Sequence, residues 1–139
     1  MAEKYYLDTC IWRDHYENRI SKTGRGMGDY ATDFFRKIMA NKKIILFSRL
    51  TYSELKVSYT QEEVDNMLNL LFLTGMLEKV EINDSQLQES TKISSERNIP
   101  GGDVLHAILA RDNNAILVTQ DKHFEKLKDL VVIKKPEDV

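Results

Sequence analysis

Short apolar runs separated by amphipathic stretches set the pattern of this chain. Lys4-Tyr-Tyr-Leu7, Ile44-Ile-Leu-Phe47, Val80-Glu-Ile82, Ala115 to Val118 and Val131-Val-Ile133 read as strands. Their apolar positions are continuous rather than alternating, which suits strands covered on both faces in a parallel sheet. Helical patterns lie between them, at Ile11 to Glu17, Asp29 to Ala40, Arg49 to Val57, Gln61 to Leu73, Asp84 to Arg97, and from Asp103 onward. Val64, Met67, Leu68 and Leu71 recur at helical spacing, and Asn83-Asp84-Ser85 supplies good caps for the helix that follows. Strands alternating with helices predict an α/β, doubly wound fold with five strands and three layers. No repeat, low-complexity tract or boundary interrupts residues 1–139, so a single domain is expected.

Two punctuated loops need separate readings. Gly24-Arg-Gly26-Met-Gly28 resembles a phosphate-binding glycine loop at first sight. It follows a helical pattern rather than a strand and lacks the full spacing of either nucleotide motif, so a mobile surface loop is expected. Asn98-Ile99-Pro100-Gly101-Gly102 stops one helix and starts the next, with Pro100 biasing Ile99 away from helical angles.

Composition narrows the class. At 139 residues, with 42% apolar and 30% charged residues, the chain can bury one substantial core. The lone Cys10 excludes an internal disulfide and suits a reducing cytoplasm. No apolar run approaches the roughly 18 residues of a membrane span, and the amino terminus has no signal-peptide apolar region. With a net charge of −2, binding to nucleic acid would require a local basic surface.

The chemistry lies in the acids. Asp8 ends the first predicted strand, Asp121 the fourth, and Asp103 opens the helix between them. Glu54 lies on the helix after the second strand. In a doubly wound sheet, carboxyl ends of strands and amino ends of helices share one rim, where such folds place their ligands. Each acid alone has an ordinary role as a cap, a turn residue or a solvated helix charge. Together they are costly, since two unit charges about 4 Å apart repel by roughly 4 kcal/mol at an effective dielectric of 20. Domains are stable by only about 5–15 kcal/mol. A divalent cation relieves that cost, and oxygen donors point to Mg²⁺ or Mn²⁺ rather than zinc.

Tyr6-Leu7-Asp8-Thr9, Ser53-Glu54-Leu55, Gly102-Asp103-Val104-Leu105-His106-Ala107 and Val118-Thr119-Gln120-Asp121 occur in that order across nearly the whole chain. This ordered set resembles the PIN-domain ribonucleases, of the kind found as the toxin of VapBC toxin–antitoxin pairs. The resemblance implies a five-stranded parallel sheet with helices on both faces. It also implies metal-dependent endoribonuclease activity, with Asp8, Glu54, Asp103 and Asp121 as metal-binding and catalytic acids. Thr9 and Thr119 carry over as polar neighbours that orient a carboxylate. Cys10 departs from the family pattern, which more often has Ser or Asn there. Implied partners are an RNA substrate, an antitoxin protein and a second copy of the chain, with no membrane.

Arg13, Lys22, Arg25, Lys56, Lys122 and His123 lie in segments near the predicted rim and are candidate phosphate contacts. His106, on an otherwise apolar helix, reads as a packed, hydrogen-bonded histidine. Leu70-Leu71-Phe72-Leu73 is too apolar for a helix with one buried stripe, and the resemblance favours a partner surface there. Two competing classes share this topology. One is a phosphoryl-transfer domain with Asp8 as phosphoacceptor, although Asp8 lacks a second acid two residues on. The other is a PIN-like binding module that does not cut.

Overall fold

The computed structural model describes residues 3–18 and 24–139. Five strands, β1 (Lys4–Leu7), β2 (Ile44–Phe47), β3 (Leu77–Lys79), β4 (Ile116–Val118) and β5 (Ile133–Lys134), form one sheet in the order β3-β2-β1-β4-β5. All four pairings are parallel. The helices are α1 (Thr9–Glu17), α2 (Met27–Ala40), α3 (Arg49–Ser58), α4 (Gln61–Leu73), α5 (Asp84–Arg97) and α6 (Gly101–Asp112), followed by a 3-10 helix at Lys122–Leu127.

Side-chain alternation along the strands divides the core into two layers. Tyr5, Leu7, Ile45 and Val118 face a cluster built with Trp12, Phe34, Phe35 and Leu68 from α1, α2 and α4. Tyr6, Leu46 and Leu117 face the opposite cluster, with Ile93, Leu105, Ile108 and Phe124. Helices therefore cover both faces of a doubly wound parallel sheet. This explains why the central strands are apolar at successive positions. Each of the strands β1, β2 and β4 has neighbours on both sides and apolar helices above and below.

The edges depart from the sequence expectation. The third strand is Leu77–Lys79, not Val80 to Ile82, and it pairs Leu77 with Ile45 and Lys79 with Phe47. Val80 adds one further hydrogen bond to the Phe47 carbonyl at 2.8 Å and is buried as the chain leaves the sheet. The fifth strand begins at Ile133 rather than Val131. Both are edge strands, where Glu78, Lys79 and Lys134 are tolerated because one side faces solvent. An apolar run is a poor guide to such a strand. Helix α6 begins at Gly101, so Asp103 lies in its first turn instead of opening it. Asp121 lies beyond the last residue of β4 and caps the 3-10 helix through its side chain.

The glycine segment also differs from its expected role. Gly28 is not part of an open loop but a buried residue in the first turn of α2. A Cβ at this position would lie 2.5 Å from the Asn18 Cα at the end of α1. The missing side chain is what allows α1 and α2 to approach. Gly28→Ala is expected to destabilise the fold by about 1–3 kcal/mol, as overpacking against backbone does. Urea denaturation checks this, with divalent-ion affinity expected to be unchanged because Gly28 is remote from the acids.

Candidate metal centre at the sheet rim

Strands β1 and β4 are neighbours, and the winding of the sheet reverses between them. Such a switch point opens a crevice beyond the strand ends. Asp8 immediately follows β1 there and is the N-cap of α1. Thr119 immediately follows β4. Glu54 arrives from α3, and Asp103 and His106 arrive from α6, three residues apart and so on one helix face.

Asp8 is buried, with 7% of its surface exposed, and both of its oxygens are engaged. Oδ1 accepts the Thr9 backbone N–H at 2.8 Å. Oδ2 accepts the Thr119 hydroxyl at 2.9 Å and the Cys10 thiol at 3.1 Å. Burial and the Asp8 charge push the Cys10 thiol up, so it serves as a neutral donor rather than a nucleophile. Glu54 Oε1 accepts the Thr9 hydroxyl at 2.5 Å and lies 2.7 Å from His106 Nε2. Burial works to raise the Glu54 pKa, but the His106 and Thr9 contacts outweigh it and hold the carboxyl below its ordinary value. Gly102 gives Glu54 its room, since a Cβ there would lie 3.1 Å from Oε2.

Asp103 registers the crowding most directly. Its pKa is pushed up to about 6, first by burial, then by the charges of Asp8 and Asp121, with a smaller push from Glu54. The other three predicted acids therefore lie within electrostatic reach of Asp103. Their distances differ, however. One ligand atom each from Asp8, Glu54 and His106 falls within 4.8 Å of the others, and neither Asp103 nor Asp121 belongs to that tight group. Thr119 joins Asp121 to Asp8, because its hydroxyl donates to Asp8 and accepts the Asp121 backbone N–H at 3.0 Å.

The donor set suits a hard divalent cation. Carboxylate oxygens are gathered from separate segments. The one imidazole already has both ring nitrogens engaged, Nε2 by Glu54 and Nδ1 by the Tyr6 hydroxyl at 2.7 Å. That leaves oxygen as the donor type the cluster offers to an ion.

The candidate phosphate contacts divide into groups. Lys122 lines a cleft of about 440 Å³ that begins at Thr119 and Asp121 and also takes in Lys134 and Lys135. These last two were not legible as site residues, because Lys134 ends an edge strand and Lys135 follows it. His123 stands exposed with Nδ1 3.1 Å from Asp121. Arg13 is paired with Glu17 at 3.7 Å, Arg25 is ion-paired with Glu137 and lies over the Tyr30 ring, and Lys56 lies over Tyr52. Lys22 lies outside the described residues.

The PIN domain profile matches residues 5–130 of the chain. No curated protein matches the sequence significantly. Among solved structures, VapBC2 from Rickettsia felis bound to a DNA fragment from their promoter is similar at TM-score 0.66 and 20% identity, covering 95% of this chain and 98% of that one. VapBC-1 from nontypeable Haemophilus influenzae is similar at TM-score 0.61 and 22% identity, covering 96% and 98%. FitAcB from Neisseria gonorrhoeae is similar at TM-score 0.59 and 14% identity, covering 97% and 99%. At these identities the likeness establishes the fold. The profile match establishes the family.

The raised Asp103 pKa has a stability consequence whose sign is fixed. The folded protein binds this proton more tightly than the unfolded chain, so the group favours folding as pH falls through about 6 toward the ordinary aspartate range. With divalent ions chelated, Asp103→Asn is expected to melt higher than the wild type at pH 7.5. That gap should narrow as pH falls below about 6 and close only near the ordinary aspartate value of 3.8, where the unfolded chain also takes up the proton; paired thermal melts check it.

Proposed function

The chain belongs to the PIN-domain family, and from that premise we propose that it is a Mg²⁺- or Mn²⁺-dependent endoribonuclease, acting as a single domain and as the toxin of a toxin–antitoxin pair. The observation that carries this reading is the gathering of Asp8, Glu54, Asp103 and Asp121 at the β1/β4 switch point, where burial and then the charges of the other acids push the Asp103 pKa up to about 6. Asp8 and Glu54 are the first residues to hold an ion, with Asp103 and Asp121 completing its surroundings. When bound, a divalent ion lowers the pKa of a coordinated water and neutralises charge developing on a phosphodiester.

The chain's own residues account for the rest of the chemistry. Thr9, Thr119 and Cys10 hold the Asp8 and Glu54 carboxylates in place through the bonds described above. Asp103, whose proton affinity is raised in the ion-free site, is the group whose proton an ion would displace. Lys122, Lys134 and Lys135 share their cleft with Asp121, Glu125 and Asp138 and are the cations it would offer to a phosphate.

RNA, rather than DNA, follows from the family resemblance. Support for an antitoxin partner comes from the VapBC structures among the similar folds. Phe72 and Leu73, at the end of α4, remain 65% and 76% exposed, apolar side chains suited to a protein partner or a second copy. No helix among the described residues is long and apolar enough to cross a membrane, and the free thiol of Cys10 fits a reducing cytoplasm.

The purified chain is expected to cleave RNA internally with Mg²⁺ or Mn²⁺ and to stop when the ion is chelated. Asp8→Asn and Asp103→Asn should each reduce cleavage by about 100-fold or more, at or beyond what loss of an outer-shell partner costs. Gel-resolved cleavage rates check this, and full activity in both variants contradicts it.

A further inference from the structure

Beneath the acids lies a buried polar chain that no step above requires. Ser48, Thr51 and His106 are 0% exposed, as is Tyr6, and they come from the β2–α3 junction, α6 and β1. Tyr6 OH lies 2.8 Å from Ser48 Oγ and 2.7 Å from His106 Nδ1, with Thr51 Oγ1 at the outer limit of 3.5 Å. His106 Nε2 lies 2.7 Å from Glu54 Oε1. Ser48 is also the N-cap residue of α3, the helix that carries Glu54. One continuous path thus runs from the start of α3, through the central strand and α6, back to the carboxylate on α3.

With the His106 ring neutral, the hydrogen-bond inventory gives this path a single direction. An ionised carboxylate only accepts, so the proton of the 2.7 Å contact must be on Nε2. In a neutral ring Nδ1 is then an acceptor, and the Tyr6 hydroxyl must donate to it. The Tyr6 oxygen, its proton committed, accepts from Ser48. A His106 with its proton on Nδ1 would set two lone pairs against each other at Glu54. Burial holds the proton on the Tyr6 phenol, which keeps it a donor.

We infer that Ser48, Tyr6 and His106 form a positioning relay in which Tyr6 selects the Nε2–H form of His106 and His106 thereby aims the Glu54 carboxylate at the divalent ion. This rests on the nuclease reading only in taking Glu54 as an ion ligand. His106 is then a positioning residue and not a ligand. The relay reverses the usual arrangement in which a carboxylate orients a ligating histidine, with the same consequence for affinity. It also supplies a reason for a histidine on an otherwise apolar helix face, since Leu at this position would fill the space but leave Glu54 held by Thr9 alone among these contacts.

Two measurements test it. The imidazole ¹⁵N spectrum of the ion-free wild type should show His106 protonated at Nε2 and bare at Nδ1. A bare Nε2, or both nitrogens protonated, overturns the relay. Mn²⁺ titration followed by electron paramagnetic resonance should show affinity weakened 10- to 100-fold in His106→Leu and restored to within about threefold in His106→Gln, whose amide N–H reaches the same point as Nε2. Tyr6→Phe should fall between them while melting as a folded protein, and it decides the matter if His106→Leu fails to fold. Unchanged affinity in Tyr6→Phe and in a folded His106→Leu, or a directly coordinated imidazole nitrogen in the Mn²⁺ spectrum, overturns the assignment. Failure of the wild type to bind Mn²⁺ strikes the nuclease reading, whereas a bare Nε2 strikes the relay alone, so the two failures are distinguishable.

Discussion

Like charges held close together govern this molecule. The parallel sheet delivers Asp8 and Thr119 to adjacent strand ends, and helices α3 and α6 bring further carboxylates to the same rim. Nothing in the core requires those charges there, and apolar residues would pack at the rim at lower cost. The protein instead satisfies them one by one. Asp8 receives a backbone N–H, a hydroxyl and a thiol, and Glu54 receives a hydroxyl and an imidazole. Asp103 carries the cost of its burial and the residual repulsion as a raised proton affinity. Such a cluster is stable in the fold because its neighbours hydrogen-bond to it, yet it keeps a demand for positive charge that only an ion or a proton meets.

That demand links the fold to the chemistry. The crevice exists because the winding of the sheet changes direction between β1 and β4. Each supporting hydroxyl reaches a carboxylate distant in sequence, Thr9 that of Glu54 and Thr119 that of Asp8, so the segments at the strand ends tie the acids to one another. Lys122, Lys134 and Lys135 stand on the β4–β5 side of the same rim. Acids that call for a cation and lysines that call for an anion, placed side by side, suit a phosphodiester bridging the two.

Much of this was legible in the residues, for identifiable reasons. Strands buried on both faces leave continuous apolar runs, so β1, β2 and β4 could be read directly. The edge strands could not, because Glu78, Lys79 and Lys134 face solvent and break the run. Gly28 looked like a loop residue because a glycine needed for close helix packing leaves the same trace as one needed for a turn. The acids stood out because charge at a strand end or in a helix's first turn is readable locally. The part played by His106 was not, since a histidine on an apolar helix looks the same whether it is merely packed or aims a carboxylate. Only the meeting of α6 with Tyr6 and Glu54 decides it, and that is a tertiary fact.

The central claim is that a divalent ion takes over from the proton in relieving this cluster. Calorimetric titration of Mg²⁺ or Mn²⁺ in buffers of different ionisation enthalpy counts the protons displaced on binding. The account predicts release of about half a proton at pH 6, where Asp103 is near half-protonated, falling to almost none at pH 8. Binding with no proton release at pH 6, or no binding at either pH, would contradict it.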